Sequence, residues 1–174
     1  MALPKRKDRK SFDPVFKFNA KEGKLIRVDR IEGDNGWESK EIEIASGSFT
    51  AIMDLDHVQV GWIAYTTTGP DMRLVDIDED IGDRPSDAFK EGFRLRMKLQ
   101  NGAGDDIREL SSTAIGLWNS IDELHSEFVE TRSKHKGKLP LVGIAEIARV
   151  ITKNGVTYRP IFTINKWVAR PGDL

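Results

Sequence analysis

The segment 92–99, with the sequence GFRLRMKL, alternates strictly between apolar and cationic side chains. Successive side chains of a β-strand point to opposite faces of a sheet, whereas a helix would distribute both sets around its circumference. The apolar set is Phe93, Leu95, Met97 and Leu99, and the cationic set is Arg94, Arg96 and Lys98. The alternation therefore predicts a strand whose apolar face needs a core. Its cationic face either contacts only water or binds something anionic.

The composition describes a well-charged globular protein without a bulk positive charge. Of its 174 residues, 39% are hydrophobic and 32% are charged, and 27 basic residues balance 28 acidic ones. This balance disfavours a polycation that coats nucleic acid indiscriminately, but it permits a local basic patch. The absence of cysteine excludes disulfides and thiolate metal sites. No segment has the character of a signal peptide or a membrane span, so we expect a cytoplasmic protein without membrane contacts.

The chain divides into a short basic arm and one domain. Residues 1–14 carry five basic side chains and show no periodicity, which predicts a flexible N-terminal arm. Residues 15–174 are long enough for a single domain with its own core. Within it, residues 66–91 are interpreted as a long loop. Its acidic run at 76–80 lacks the ligand spacing of a calcium loop, so we expect those carboxylates to be solvated.

Strand and helix patterns fill the rest of the domain. Four segments alternate like strands of an antiparallel meander, at 24–31, 37–44, 49–55 and 58–65. Residues 111–133 predict one long helix, with the hydroxyl side chains at 111–113 as N-caps. Its apolar stripe repeats at spacings of three and four and consists of Ile115, Trp118, Ile121, Leu124, Phe128 and Val129.

Two final strand-like runs, 139–151 and 156–168, flank Asn154-Gly155. Asn-Gly between such runs is a strong short-range signal for a β-hairpin. Pro160 cannot donate a ladder hydrogen bond, so we expect the second strand at a sheet edge or with a local bulge. Strict alternation places Ile164 and Trp167 on opposite faces of that strand.

The order of these elements predicts a mainly β protein with one long helix. It matches an OB-fold-like five-stranded barrel with an extra N-terminal strand at 24–31, because the helix of an OB barrel lies between the third and fourth strands. The strand 92–99 would be the third, and the hairpin would supply the fourth and fifth. An α+β sheet with one covering helix is the alternative. OB barrels bind oligonucleotides or oligosaccharides on one strand face and its loops.

The sequence contains no recognised catalytic constellation. It has no nucleophile elbow, Walker loop, dinucleotide fingerprint or HExxH helix. The three histidines are His57, His125 and His135, and no two of them have metal-ligand spacing. We therefore expect a protein that is not an enzyme and that has neither a metal nor a cofactor.

The one pattern in the sequence that indicates a specific function is the interleaving of basic and aromatic residues. Proteins that bind single-stranded nucleic acid combine a cationic groove for the phosphates with aromatic rings on which bases stack. Each stacked base contributes about 1–3 kcal/mol to binding. The candidate phosphate-binding residues are Arg94, Arg96, Lys98, Arg149, Lys153 and Arg159, and the candidate stacking residues are Trp37, Trp62, Tyr65 and Trp167. The structural alternatives are a solvated strand face, ion pairs with the acidic residues of 37–44, and tryptophans that belong to the core.

Four short segments carry a family resemblance: GWI at 61–63, FKEGF at 89–93, YRPIFTI at 158–164 and WVARP at 167–171. Through them the chain resembles bacteriophage and prophage single-stranded DNA-binding proteins of OB fold. The resemblance implies coating of unwound DNA in phage-type replication or recombination, without catalysis or cofactor. It also implies replication or recombination proteins as partners, and it is compatible with a homo-oligomer.

One departure and one alternative accompany this resemblance. Many such proteins end in an acidic tail that recruits partners, whereas this chain ends in RPGDL. Recruitment would then fall to an internal acidic segment such as 76–83. The alternative function is a phage or bacterial structural or assembly module that uses its barrel for protein–protein contacts.

Overall fold

The structure, a computed structural model, describes residues 14–100 and 107–174, without the side chains of Arg30 and Trp37. The predicted arm at 1–14, except residue 14, lies outside the described residues. So does segment 101–106, whose sequence NGAGDD predicts a turn after the strand 92–99. In the described part the protein is mainly β with one long helix, as the sequence predicted. The strands are β1 (Val15–Asn19), β2 (Lys24–Gly33), β3 (Gly36–Ile44), β4 (Thr50–Met53), β5 (Gln59–Thr66), β6 (Gly69–Asp76), β7 (Lys90–Leu99), β8 (Ile107–Ser112), β9 (Lys138–Thr152) and β10 (Gly155–Ala169), and the helix is α1 (Ile115–Thr131).

β7, the strand predicted at 92–99, lies at the centre of the sheet. Its first half pairs with β5 and its second half with β4, while β8 pairs along its other edge. The apolar side chains of its alternation are at most 1% exposed. Arg96 is exposed, and Arg94 and Lys98 are half-buried. The strand and its core face are thus confirmed. The opposite face, which carries these three cations, is called the outer face below.

The described strands form one sheet in the order β10–β9–β4–β7–β8–β1–β2–β3, with β5 and β6 attached beside β7. No ladder of the described strands joins β10 to β3, so the sheet does not close. One backbone hydrogen bond of 2.8 Å, from Tyr158 N to Ala20 O, connects β10 to the β1–β2 turn. The predicted five-stranded barrel is therefore not confirmed, and the described part of the chain has more strands than expected.

α1 begins later than predicted because residues 107–112 form β8. Ala114 is the N-cap of the helix and makes no side-chain capping bond, so the predicted hydroxyl caps at 111–113 are wrong. The buried positions of the helix are Leu117, Ser120, Ile121, Leu124 and Phe128. Ile115 is 71% exposed and Val129 43% exposed, so these two members of the predicted stripe are also wrong. No described helix is long and apolar enough to cross a membrane.

The sequence missed β1, β6 and β8. β6 occupies Gly69–Asp76, so the predicted loop 66–91 contains a strand and its irregular part is shorter. This strand pairs only with β5, and an edge strand can carry charges on both faces without the clean alternation of a half-buried strand. β8 lies between β7 and α1 in the chain. The sequence had suggested that segment 92–99 is the strand directly before the helix. That expectation is wrong, because β8 lies between them.

β9 and β10 form the predicted hairpin, and β10 is an edge strand with two register irregularities. Both features agree with the expectation from Pro160. One irregularity lies between Ile164 and Lys166. The extra residue returns Trp167 to the side of Ile164, and both pack against the main core cluster. The predicted placement of these two side chains on opposite faces is wrong, because alternation holds only where a strand has no bulge.

Candidate nucleic-acid interface

Cross-strand pairing determines which side chains share the outer face with the cations of β7. Residues directly opposite each other in a ladder lie on the same face. Arg94 is paired with Gln59 of β5 and with Ser111 of β8. Arg96 is paired with Glu109 of β8. The ladder partners of the two arginines are therefore polar, and that of Arg96 is a carboxylate.

The ladder partners of Lys98 lead to Lys166, a basic residue of the same aromatic and basic pattern whose place on the outer face the sequence did not predict. Lys98 is paired with Ile52, which is paired with Leu141, which is paired with Lys166 of β10. Lys166 thus shares the outer face, and it is exposed. Its face could not be assigned from the sequence, because it follows the bulge in β10. The ladder partners are the only signal that identifies it.

Gln59 holds Arg94 in place on the outer face. Nε of Arg94 donates a hydrogen bond of 3.0 Å to Oε1 of Gln59, and Nη2 donates to the same oxygen. Nη1 lies 3.9 Å from Sδ of Met72. A neutral amide orients the guanidinium without cancelling its charge. Arg94 is therefore a positioned cation that can still attract phosphate.

Lys98 is already paired with a carboxylate. Its Nζ donates to Oδ2 of Asp173 at 3.0 Å and to Oδ1 at 3.2 Å. The hydrogen bond from Lys98 lowers the pKa of Asp173 below its ordinary value of 3.8. Asp173 is consequently charged at neutral pH. Any anionic ligand of Lys98 must compete with this side chain.

Segment 170–174 is held on the sheet by Arg170. Nη2 of Arg170 donates to Asp54 at 3.0 Å and to Asp56 at 2.7 Å, and Nη1 donates to the main-chain oxygen of Leu174 at 3.3 Å. The side chain of Leu174 joins a small apolar cluster formed by Ile52, Leu139, Leu141 and Val168. These contacts keep Asp173 beside Lys98.

Tyr65 is the predicted stacking residue that lies on the outer face. It is in phase with Gln59 along β5, and the ladders of β5 show no register irregularity. Its side chain is 63% exposed. Partial desolvation raises the pKa of Tyr65 above its ordinary value of 10.0. The ring is therefore neutral at physiological pH and does not repel phosphate.

Trp62 and Trp167, the two predicted stacking tryptophans whose side chains are described, do not join Tyr65. Trp62 is on the opposite face of β5, and its Nε1 donates a 3.1 Å hydrogen bond to Gly82 O. Trp167 stacks on His135 with ring centroids 4.4 Å apart and an angle of 7°. Trp37 lies in β3, at the far end of the strand order from the hairpin. Its side chain is outside the described part of the structure.

The hairpin cations are separated from the outer-face cations of β7. Arg149 and Lys153 are exposed near the tip of the β9–β10 hairpin. Nη1 of Arg159 donates a 3.0 Å hydrogen bond to Glu123 of α1. The outer face thus carries Arg94, Arg96, Lys98, Lys166 and Tyr65. The buried Ile52 and Leu141 lie between Lys98 and Lys166 in the ladders, and the buried Ile63 lies between Gln59 and Tyr65 on β5. The structure does not bring Arg159, Trp62 or Trp167 to that group.

No group of three or more His, Asp or Glu side chains in the described ranges is placed to hold a metal ion. Comparisons of the chain with protein-family models, with curated proteins and with solved structures found no match.

Proposed function

We propose that this protein binds single-stranded DNA without catalysis, through the outer face of β7. The observation that carries the proposal is the line of Arg94, Arg96 and Lys98 on the outer face of the central strand, with the exposed ring of Tyr65 on the same face. Alternate residues of a strand are about 6.6 Å apart, so the three cations can meet successive phosphates of a flexible strand. Tyr65 can stack on a base without requiring a particular one.

The strand order supports an OB-like assignment of the surface. β10, β9, β4, β7 and β8 are consecutive in the sheet, and α1 lies between β8 and β9 in the chain. If β4, β7 and β8 are the first three strands of an OB unit, the helix lies between its third and fourth strands, as in OB barrels. β7 and β8 are then the second and third strands. This pair carries the oligonucleotide-binding face in that fold.

The same assignment accounts for the cations of the hairpin. The loop between the fourth and fifth strands of an OB barrel also contacts oligonucleotides, and here it is the tip that carries Lys153. Arg149 lies close to that tip. These two residues would contact single-stranded DNA that extends past the edge of the sheet. Their phosphate contacts would add to the salt dependence of binding. We propose coating of unwound DNA in phage-type replication or recombination as the biological role.

The direct test is fluorescence anisotropy of labelled oligo-dT at about 50 mM and about 200 mM salt, because phosphate neutralisation makes log affinity fall linearly with log salt. Binding should weaken steeply with salt. Stacking on Tyr65 should also quench tyrosine emission, whereas the described tryptophans lie away from the outer face and should respond less. If oligo-dT fails to bind even at the lower salt concentration, the proposal is wrong.

The hairpin tip favours a second candidate, an assembly module. Ile151 is 79% exposed and its ladder partner Val156 is 39% exposed. Two neighbouring exposed apolar side chains at a hairpin tip could form the centre of a protein contact. Under this alternative, the chain would self-associate or bind another protein through the tip. Sedimentation would then show that the unmodified protein associates and that the Ile151→Ser variant does not. Neither protein would bind oligo-dT.

A further inference from the structure

A second group of cations lies at the C-terminal end of α1 and includes none of the β7 cations. The short 3₁₀ turn Arg132–Lys134 and the residues that follow it surround an open cavity of about 360 Å³. This volume is at the small end of the range of ligand sites in proteins. The polar side chains that line it are Asp56, Arg132, Ser133, His135, Lys136 and Lys138.

The charges around this cavity are strongly unbalanced. Arg132, Lys136 and Lys138 are permanent cations at neutral pH, and His135 offers a ring N–H. Asp56 is the one carboxylate among the lining residues, and it accepts a 2.7 Å hydrogen bond from Arg170. Its charge is therefore compensated by a residue outside the lining. The cavity as a whole attracts anions.

The wall of the cavity is held by backbone hydrogen bonds among its own residues and by contacts with Trp167 and Arg170. The His135 ring stacks on Trp167 at 4.4 Å. Its backbone nitrogen donates to Arg132 O, and Lys138 N donates to His135 O. Gly137 has φ +73°, a conformation that favours glycine, and its carbonyl accepts from Arg170 N at 3.3 Å. The cations are consequently carried by a backbone that is already arranged around the cavity.

We propose that this cavity binds a phosphate monoester, such as that of a mononucleotide. A monoester carries about 1.5 to 2 negative charges at neutral pH, more than the single charge of a phosphodiester. Three permanent cations around a small cavity suit this higher charge, and Ser133 and His135 supply hydrogen-bond donors to phosphate oxygens. The residues that line the cavity include none of the cations of β7, so this proposal does not depend on the proposed binding of single-stranded DNA.

Lys134 provides a matched control within the same seven-residue stretch. It is exposed, carries the same charge as Lys136 and does not belong to the lining residues. Isothermal titration of the full chain with dTMP should therefore separate the two positions. We expect Lys136→Gln to weaken dTMP binding at least about fivefold and Lys134→Gln to weaken it less than about twofold. Thymidine, which has no phosphate, should give no heat.

Equal weakening by the two substitutions would overturn the proposal, because it would show a diffuse effect of charge rather than a site. Thymidine binding as strong as that of dTMP, or no dTMP binding at millimolar concentration, would overturn it as well. Thermal unfolding of both variants checks that the fold is intact. Oligo-dT with a 5′-hydroxyl should bind Lys136→Gln as it binds the unmodified chain. This separates failure of the cavity from failure of the proposed function.

Discussion

The two faces of β7 belong to one backbone and differ in how they meet the rest of the molecule. On the core face, Leu95 is 1% exposed and Met97 is fully buried. On the outer face, Arg94 is oriented by a neutral amide, Arg96 is exposed, and Lys98 is paired with Asp173. The core face is constrained by packing along its whole length, whereas each position of the outer face has a different partner. Stability should therefore depend on the first face and binding on the second.

The largest effect is expected from truncation on the core face. Leu95→Ala removes a fully buried side chain and should lower the free energy of unfolding by about 2–5 kcal/mol. Urea denaturation measures this change. Ile115→Ala, at a position that is 71% exposed, is the matched control and should stay within about 0.5 kcal/mol. Similar losses for both variants would remove the distinction between buried and exposed positions.

Gly92 is in phase with Arg94 on the outer face of β7, so a substitution there tests whether every position of that face tolerates change. An added Cβ at this position would lie 2.7 Å from Ser112 O and 2.6 Å from Cδ1 of Ile63. Gly92→Ala should therefore destabilise the fold by about 1–3 kcal/mol, through overpacking. Gly47→Ala, where nothing lies within 4 Å of the added atom, should leave the unfolding midpoint in urea nearly unchanged. If the Gly92→Ala variant were as stable as the unmodified chain, β5 and β8 could move away from the added Cβ without loss of stability.

Charge reversal on the outer face should affect binding more than stability. Arg94→Glu combined with Arg96→Glu should weaken oligo-dT binding at least about tenfold, and the loss of two phosphate contacts should flatten the salt slope by about 1.4. Anisotropy at several salt concentrations gives both quantities. The matched control is Lys21→Glu combined with Lys40→Glu, two exposed positions away from β7. If the arginine variant unfolds instead, these arginines are structural.

Removal of the Tyr65 ring should cause a smaller loss. Tyr65→Ala should weaken oligo-dT binding by about 1 kcal/mol or more, the lower end of the range for one base stack. Tyr65→Phe keeps the stacking ring and should bind like the unmodified chain. Because the raised pKa of Tyr65 keeps the phenol neutral, affinity should not change with its ionisation between pH 6 and pH 9. Equal losses for Ala and Phe would assign the effect to the hydroxyl.

The smallest expected effect is an increase in the affinity for oligo-dT. Asp173→Asn removes the carboxylate that competes for Lys98 and should strengthen oligo-dT binding by about twofold, since exposed ion pairs contribute little. The lowered pKa of Asp173 means that the ion pair is present at neutral pH and is lost only as the pH falls below 3.8. Asp83→Asn, an exposed carboxylate in the irregular part of the predicted loop, is the control. Weaker binding by Asp173→Asn would mean that segment 170–174 supports the site.

The sequence predicted those features of the fold that depend on local periodicity. Alternation in β7 identified its core face, and Asn154-Gly155 identified the hairpin. It missed β6 and β8 because neither has clean apolar alternation: β6 is an edge strand, and the buried phase of β8 contains Arg108 beside Leu110. Trp167 was placed on the wrong face because a bulge cannot be read from a strand's apolar pattern.

By itself, the sequence determined that β7 has an apolar and a cationic face, because side-chain direction in a strand is a local property of the backbone. Only the tertiary structure decided what each cation meets. Gln59, Asp173 and Lys166 are 35, 75 and 68 residues away from their neighbours on β7, and no local pattern links positions so distant. The ladders also separated Trp62 from the outer face and kept Tyr65 there. Charge and alternation can be read locally, whereas the partners of a charge depend on how distant strands pair.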